Sequence, residues 1–254
     1  MEKNMLPQEE VQAIVRAART ERRMMIGSPL LPEESCPPSA DWLVACYGAR
    51  DSSGNFDWLS SYLPYADANG TVLEAFDDIL PSCPVPVLAG VCAADPFRAH
   101  DQLLESIRSK GFKGVCNLPS VALMDGSLRT IVEEQGLGFE REAHLMTVAR
   151  NKGLYTLALV FSPQEADAML AAGADALLLH PGLAFDESPT LPIDAYLAKI
   201  TSLSNRLSPD YPLFACSMDP RHLEGLAYSL LNLSGFYAIR SFCNSFHKSP
   251  SGDL

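Results

Sequence analysis

Pro86-Val-Leu-Ala-Gly-Val-Cys92 is an apolar run that stops at a polar turn, Ala93-Ala-Asp-Pro-Phe-Arg98. A run this short, bounded by turn residues, reads as a buried strand rather than a helix. The stretch after the turn reads as a helix. Asp95 caps it, Pro96 suits its first position, and Gly111 stops it after Lys110. A second apolar run, Gly114–Leu118, comes next, so strand, helix and strand form one parallel unit. The alternation recurs on both sides, with apolar runs at Met24–Gly27, Trp42–Gly48, Thr156–Phe161, Ala176–His180, Leu213–Cys216 and Phe236–Arg240. Eight such runs in 254 residues predict an α/β fold, a single (β/α)8 TIM barrel over 1–254.

The connections follow the same logic. Pro7–Arg23 has Val11, Ile14, Val15 and Ala18 on one face, which predicts an N-terminal helix. Strand one should end at Gly27-Ser28. Pro29, Pro32, Pro37 and Pro38 then leave the first crossover helix short or missing. Residues 49–56 read as irregular. Further helices are expected over Gly70–Leu80, near Ser127–Gln135 and Glu140–Lys152, from Ser162-Pro163-Gln164-Glu165 to Gly173, near Ile193–Leu207 and over Pro220–Leu231. The tail 244–254 reads as flexible.

Composition narrows the function. The chain carries 47% apolar residues and a net charge of −12. An acidic surface repels phosphate backbones, so nucleic acid is not an expected partner. No apolar run is long enough to span a bilayer, and the N-terminal residues lack the apolar core of a secretory signal, so a cytoplasmic protein is expected. Seven cysteines without a CxxC pair read as reduced, buried thiols. There is no GxGxxG, P-loop, HExxH or GxSxG motif. Every lysine falls outside the strands, which argues against a Schiff-base aldolase.

A parallel barrel does its chemistry where its strands end. The candidates there are Asp67 and Asn69 before helix two, Cys92, Asp95 and Arg98 after strand three, Asn117 and Pro119 after strand four, and His180 at the tip of strand six. Together they offer carboxylates, amides, a thiol, an imidazole and a guanidinium, enough to hold a small anionic substrate. Each also has a structural reading. Asp95, Asp67 and Asn69 could cap helices, Arg98 could pair on the surface, and His180 could be a hydrogen-bonded core residue. Asn117 ends a buried strand, where an amide must find partners. Cys92 and Cys116 read as core more than nucleophile. Glu140 and Glu142 read as solvated, and His100, His144, His222 and His247 carry no assigned role.

Leu63-Pro-Tyr-Ala-Asp-Ala-Asn69, Val87–Arg98, Gly111-Phe-Lys-Gly-Val-Cys-Asn-Leu-Pro119 and Ala171-Ala-Gly-Ala-Asp175 resemble the phosphoenolpyruvate hydrolase-like TIM-barrel family, within the phosphoenolpyruvate/pyruvate superfamily. The resemblance covers about Tyr62 to Gly182. It implies a lyase or hydrolase that makes or breaks a C–C bond, or less readily a P–C bond, in a small 2-oxo or β-dicarbonyl acid. It also implies Mg²⁺ as a cofactor and a homo-oligomer. Asp95 and Asp67 would then be metal or substrate ligands. Arg98 would face the substrate anion with Asn69, Cys92 and Pro119 nearby, Asn117 would donate a hydrogen bond, and His180 would handle protons. The glycine-rich turns the family carries after strands one and seven are replaced here by Gly27-Ser-Pro-Leu-Leu-Pro32 and Cys216-Ser-Met-Asp-Pro220. In many barrels the glycines of the last two loops hold phosphate. Their loss implies an altered substrate, or a non-catalytic ligand- or protein-binding regulator on a decayed site.

Overall fold

Eight parallel strands close on themselves in a computed structural model that describes residues 25–32, 34–37, 40–50, 56–57, 60, 67–180, 193–208, 211–217 and 233–238. They are β1 (Met25–Leu30), β2 (Trp42–Ala45), β3 (Val87–Gly90), β4 (Gly114–Cys116), β5 (Tyr155–Val160), β6 (Ala176–Leu179), β7 (Leu213–Ser217) and β8 (Gly235–Ala238). Each pairs with its sequence neighbours, and β8 closes on β1 through Ile26 opposite Phe236. All eight expected runs are strands of this barrel. The expected N-terminal helix over 1–23, the helix over Pro220–Leu231 and the tail 244–254 lie outside the described residues.

Side-chain alternation separates two cores. Leu88, Cys116, Leu157, Leu159, Ala176, Leu178, Phe214, Cys216 and Tyr237 fill the interior, with Trp42 and Val44. Ala89, Val115, Ala158, Leu177, Leu179 and Ala215 face the helices. Gly27 leaves room for the Trp42 ring, which stacks on Tyr237 and meets the edge of Phe214. The side of the barrel built from β1, β2, β7 and β8 is therefore plugged by aromatic rings.

The described helices are α1 (Ala68–Ala75), α2 (His100–Ser109), α3 (Gly126–Glu134), α4 (Phe139–Asn151), α5 (Pro163–Ala171) and α6 (Ile193–Ser204). The start of α5 is as expected, since Ser162 Oγ accepts the Glu165 N–H with Pro163 in the first turn. Gly111, Gly153 and Gly173 end the described helices α2, α4 and α5 at positive φ. No described residue between β1 and β2 is helical.

Five expectations are corrected. β1 continues through Pro29 to Leu30, and residues 49–50 pair with 56–57 as a small antiparallel ribbon. α1 ends at Ala75, followed by turns and a short 3-10 helix at Leu80–Ser82. α2 starts at His100, not at Asp95-Pro96, because Asp95 spends its carboxylate on the turn itself. Among the cysteines, Cys46, Cys116 and Cys216 are buried thiols outside any disulfide, but Cys36 and Cys83 are half-buried and joined as a disulfide, with Cα atoms 5.8 Å apart. This bridge ties the β1–β2 connection to the segment before β3.

Candidate active site

The turn after β3 and the start of α1 meet in one polar network. Asn69 is buried and binds the turn at both ends of its amide. Its Nδ2 donates to the Cys92 carbonyl at 3.0 Å, and its Oδ1 accepts the Cys92 N–H at 2.9 Å. The same Nδ2 donates to Asp95 Oδ2 at 2.9 Å. Asp95 Oδ1 accepts the Phe97 N–H at 2.8 Å, which curls the turn and aims Arg98 back across it. Arg98 Nη1 then donates to Asp95 Oδ2 at 3.0 Å and to Asp67 Oδ1 at 2.8 Å, while Nη2 pairs with Asp67 Oδ2.

Asp67 has two roles. It caps α1 by accepting the Gly70 N–H at 2.8 Å, and it takes the fork of Arg98. Gly70 completes the fit, because a Cβ there would collide with the Asp67 carboxylate. Side-chain exposure grades outward, from 10% at Asp95 through 29% at Arg98 to 53% at Asp67. The Arg98 guanidinium, above all, holds the Asp67 carboxyl below its ordinary range. Burial alone would raise Asp95, but hydrogen bonds from Asn69, Phe97 and Arg98 outweigh it and keep that carboxyl low. Asp67 and then Asp95 raise the Arg98 pKa and keep it charged. Two carboxylates and one guanidinium leave the cluster a net charge of −1.

Burial pushes the Cys92 thiol up to about 11, so it is a neutral thiol near pH 7 and contributes its backbone to the network. Arg141 on α4 braces the turn from behind. Its Nε donates to the Ala93 carbonyl at 2.6 Å and its Nη2 to the Asp95 carbonyl at 3.2 Å.

The other candidates are not members of this network. Asn117 is buried at the end of β4, on the side of the helix layer. Its Oδ1 accepts the Leu159 N–H at 2.6 Å, and its Nδ2 donates to the Leu159 carbonyl at 3.0 Å and to Glu142 Oε2 at 2.6 Å. Both ends of the amide are engaged within the protein. Pro119 is buried in a cis Leu118–Pro119 bond just beyond. His180 is buried at the tip of β6, its ring 4.9 Å from Phe161. Burial, with Lys199 a lesser influence, pushes its pKa down to about 3, so the imidazole is neutral.

Glu142 is the largest departure from the sequence reading. Expected to be solvated, it is 1% exposed. Its Oε1 accepts the Val121 N–H at 2.6 Å while Oε2 holds Asn117. Burial pushes its carboxyl up to about 8 against the pull of these donors. A signal was present: Phe139, Glu142, Met146 and Ala149 share one apolar stripe of α4 at helical spacing. Arg141 and Glu142, adjacent on α4, thus anchor the β3 turn and the β4 loop respectively. Gly70 and Arg141 had no sequence signal beyond their neighbours.

With this geometry in place, a model of the phosphoenolpyruvate hydrolase-like family matches residues 39–207. The chain belongs to this family. The match takes in every residue of the network. In tomato (Solanum lycopersicum), ToMV susceptible protein tm-1(GCR26) is 39% identical over 200 residues, covering 72% of this chain and 26% of the tomato protein. ToMV resistance protein Tm-1(GCR237) is 48% identical over 126 residues, covering 49% of this chain and 17% of that protein. The chain thus spans about a quarter or less of the length of these relatives. Among solved structures, a candidate phosphonomutase from Burkholderia cenocepacia is 15% identical with a TM-score of 0.49, covering 89% of this chain and 91% of that one. No described helix is long and apolar enough to cross a membrane.

Proposed function

We propose that this barrel is an enzyme, a lyase or hydrolase that makes or breaks a C–C bond, or less readily a P–C bond, in a small 2-oxo or β-dicarbonyl acid. The observation that carries the reading is the Asp67–Arg98–Asp95–Asn69 network at the C-terminal end of β3. It is a set of ionised groups held at graded exposure where such barrels do their chemistry. In this reading Arg98 exchanges one carboxylate partner for the substrate carboxylate, an exchange its forked donors suit. Asn69 and the Phe97 N–H keep Asp95 fixed while that happens. His180 would handle protons in this reading, and because burial holds its pKa at about 3 in the free protein, that role requires substrate binding to raise it toward neutrality.

The donor chemistry fits Mg²⁺. Asp67 and Asp95 supply hard carboxylate oxygens, the cluster has a surplus negative charge, and Mg²⁺ binds through one or two carboxylates with substrate and water completing the set. Among the described residues no three His, Cys, Asp or Glu side chains converge, so the protein would supply these two ligands. When bound, the ion would stabilise the enolate that forms as the bond breaks. A homo-oligomer and a cytoplasmic location belong to the same proposal.

A second reading is a ligand- or protein-binding barrel without turnover. Two observations favour it: Arg98 is already satisfied by two carboxylates, and the tomato relatives are named for resistance and susceptibility to a virus. Turnover of a panel of 2-oxo and β-dicarbonyl acids, with and without Mg²⁺, separates the two. The enzyme reading expects turnover with one class of acid and a loss of at least about 100-fold in Asp95→Asn with the fold intact. No turnover across the panel, or equal turnover in the variant, would overturn it.

A further inference from the structure

We propose that His100 and His144 form a two-imidazole site for a zinc-class divalent cation on the outer face of the barrel. The site is separate from the carboxylate network. His100 opens α2 and His144 lies in the second turn of α4, so two packed helices fix the pair. Their Nδ1 atoms are 3.4 Å apart, and the rings are tilted by 30°. Two ligands at about 2.0–2.1 Å from a tetrahedral zinc are themselves about 3.4 Å apart, so the pair already has ligand spacing.

The tautomer is set by the backbone. His100 Nε2 lies 3.1 Å from the Ala93 carbonyl, and a carbonyl only accepts. Nε2 therefore carries the proton, and in the neutral ring Nδ1 presents its lone pair toward His144. Metal-binding imidazoles are held in this way, with the far nitrogen donating to a carbonyl. Burial also lowers the His100 pKa, which favours the neutral, ligating form. His144 is exposed, so a cation reaches the pair from solvent, and water completes its coordination. Asp101 adds negative charge beside His100 but is paired with Lys152 at 2.9 Å, and the Arg141 guanidinium adds positive charge nearby, so the two imidazoles carry the binding. Cys92, a neutral thiol near pH 7, is not a competing thiolate.

The test is calorimetric titration of the full 254-residue chain with Zn²⁺ near neutral pH, with Mg²⁺ in excess and with Asp67→Asn/Asp95→Asn as a second parent, so that the carboxylate network does not contribute. His144→Gln is the primary variant, since the side chain is exposed, and circular dichroism confirms its fold. One equivalent of Zn²⁺ should bind the parent chain, with at least tenfold weaker binding in His144→Gln and, separately, in His100→Gln. Unchanged affinity in His144→Gln, or no saturable binding to the parent chain, would overturn the proposal. Neither result depends on turnover, so this site and the proposed activity stand or fall independently.

Discussion

Two carboxyl clusters flank the mouth of this barrel, and the same functional group behaves oppositely in each. Asp67 and Asp95 share a guanidinium and reach water, and both are held below their ordinary range. Glu142 is sealed behind the β4 loop with its hydrogen bonds coming from neutral donors, and it is pushed up to about 8. A charged partner with partial solvation favours the carboxylate, whereas neutral donors in a dry site do not offset desolvation. The open cluster can exchange partners with a ligand. The closed one is a fixture that holds Asn117 and Val121 in place.

The largest effect is expected at the closed cluster. Glu142→Ala leaves two buried N–H donors unpaired and opens a hollow, costing about 3 kcal/mol in urea unfolding near pH 7. Glu142→Gln should cost clearly less, because a carboxyl pushed up to about 8 is largely protonated near pH 7, and glutamine likewise offers one acceptor oxygen and one hydrogen-bearing atom. Equal stability of all three proteins would show that Glu142 is not the fixture described.

Gly70→Ala probes the open cluster without altering a charged group. The added methyl collides with the Asp67 carboxylate and displaces it from Arg98. Alanine is favoured over glycine in a helix by about 1 kcal/mol, so stability should change little. Affinity for the acid that binds the parent protein should change by about tenfold in a calorimetric titration. Unaltered affinity would detach Asp67 from the site.

The pH dependence of stability should differ in sign between the clusters, with a smaller effect. Glu142 has a raised folded pKa, so the unfolded chain loses that proton first. Its contribution to stability falls as pH rises from about 4.5 to about 8 and levels above that. Asp67 and Asp95 have lowered folded values. Their contribution is present above about 3.8 and is lost as pH falls below it. Unfolding free energies across both windows, with Glu142→Gln removing only the upper slope, would separate them. An upper slope that persists in Glu142→Gln belongs to another group.

Much of the barrel was legible because strand runs, proline and glycine stops, and the Ser162 cap are local signals. Asp67, Asn69, Asp95 and Arg98 were legible as a group because they fall at strand and helix ends and in family motifs. Other features depend on which element lies across the gap. Asp95 looked like a cap for α2, yet Asn69 and Arg98 recruit its carboxylate, so the helix begins five residues later at His100. Glu142 looked solvated because a carboxylate usually is, yet Asn117 and Val121 draw it inward. The Cys36–Cys83 bridge was unreadable because nothing in the spacing brings those loops together.

The central claim is that Arg98 is the group that takes the substrate's carboxylate at the mouth of the barrel. It is tested most directly by calorimetric binding of the best-bound 2-oxo acid to the parent protein and to Arg98→Met, with Mg²⁺ present for both. The account predicts saturable binding by the parent protein and at least a 30-fold loss, about 2 kcal/mol, in the variant. Equal affinity in the two proteins would contradict it.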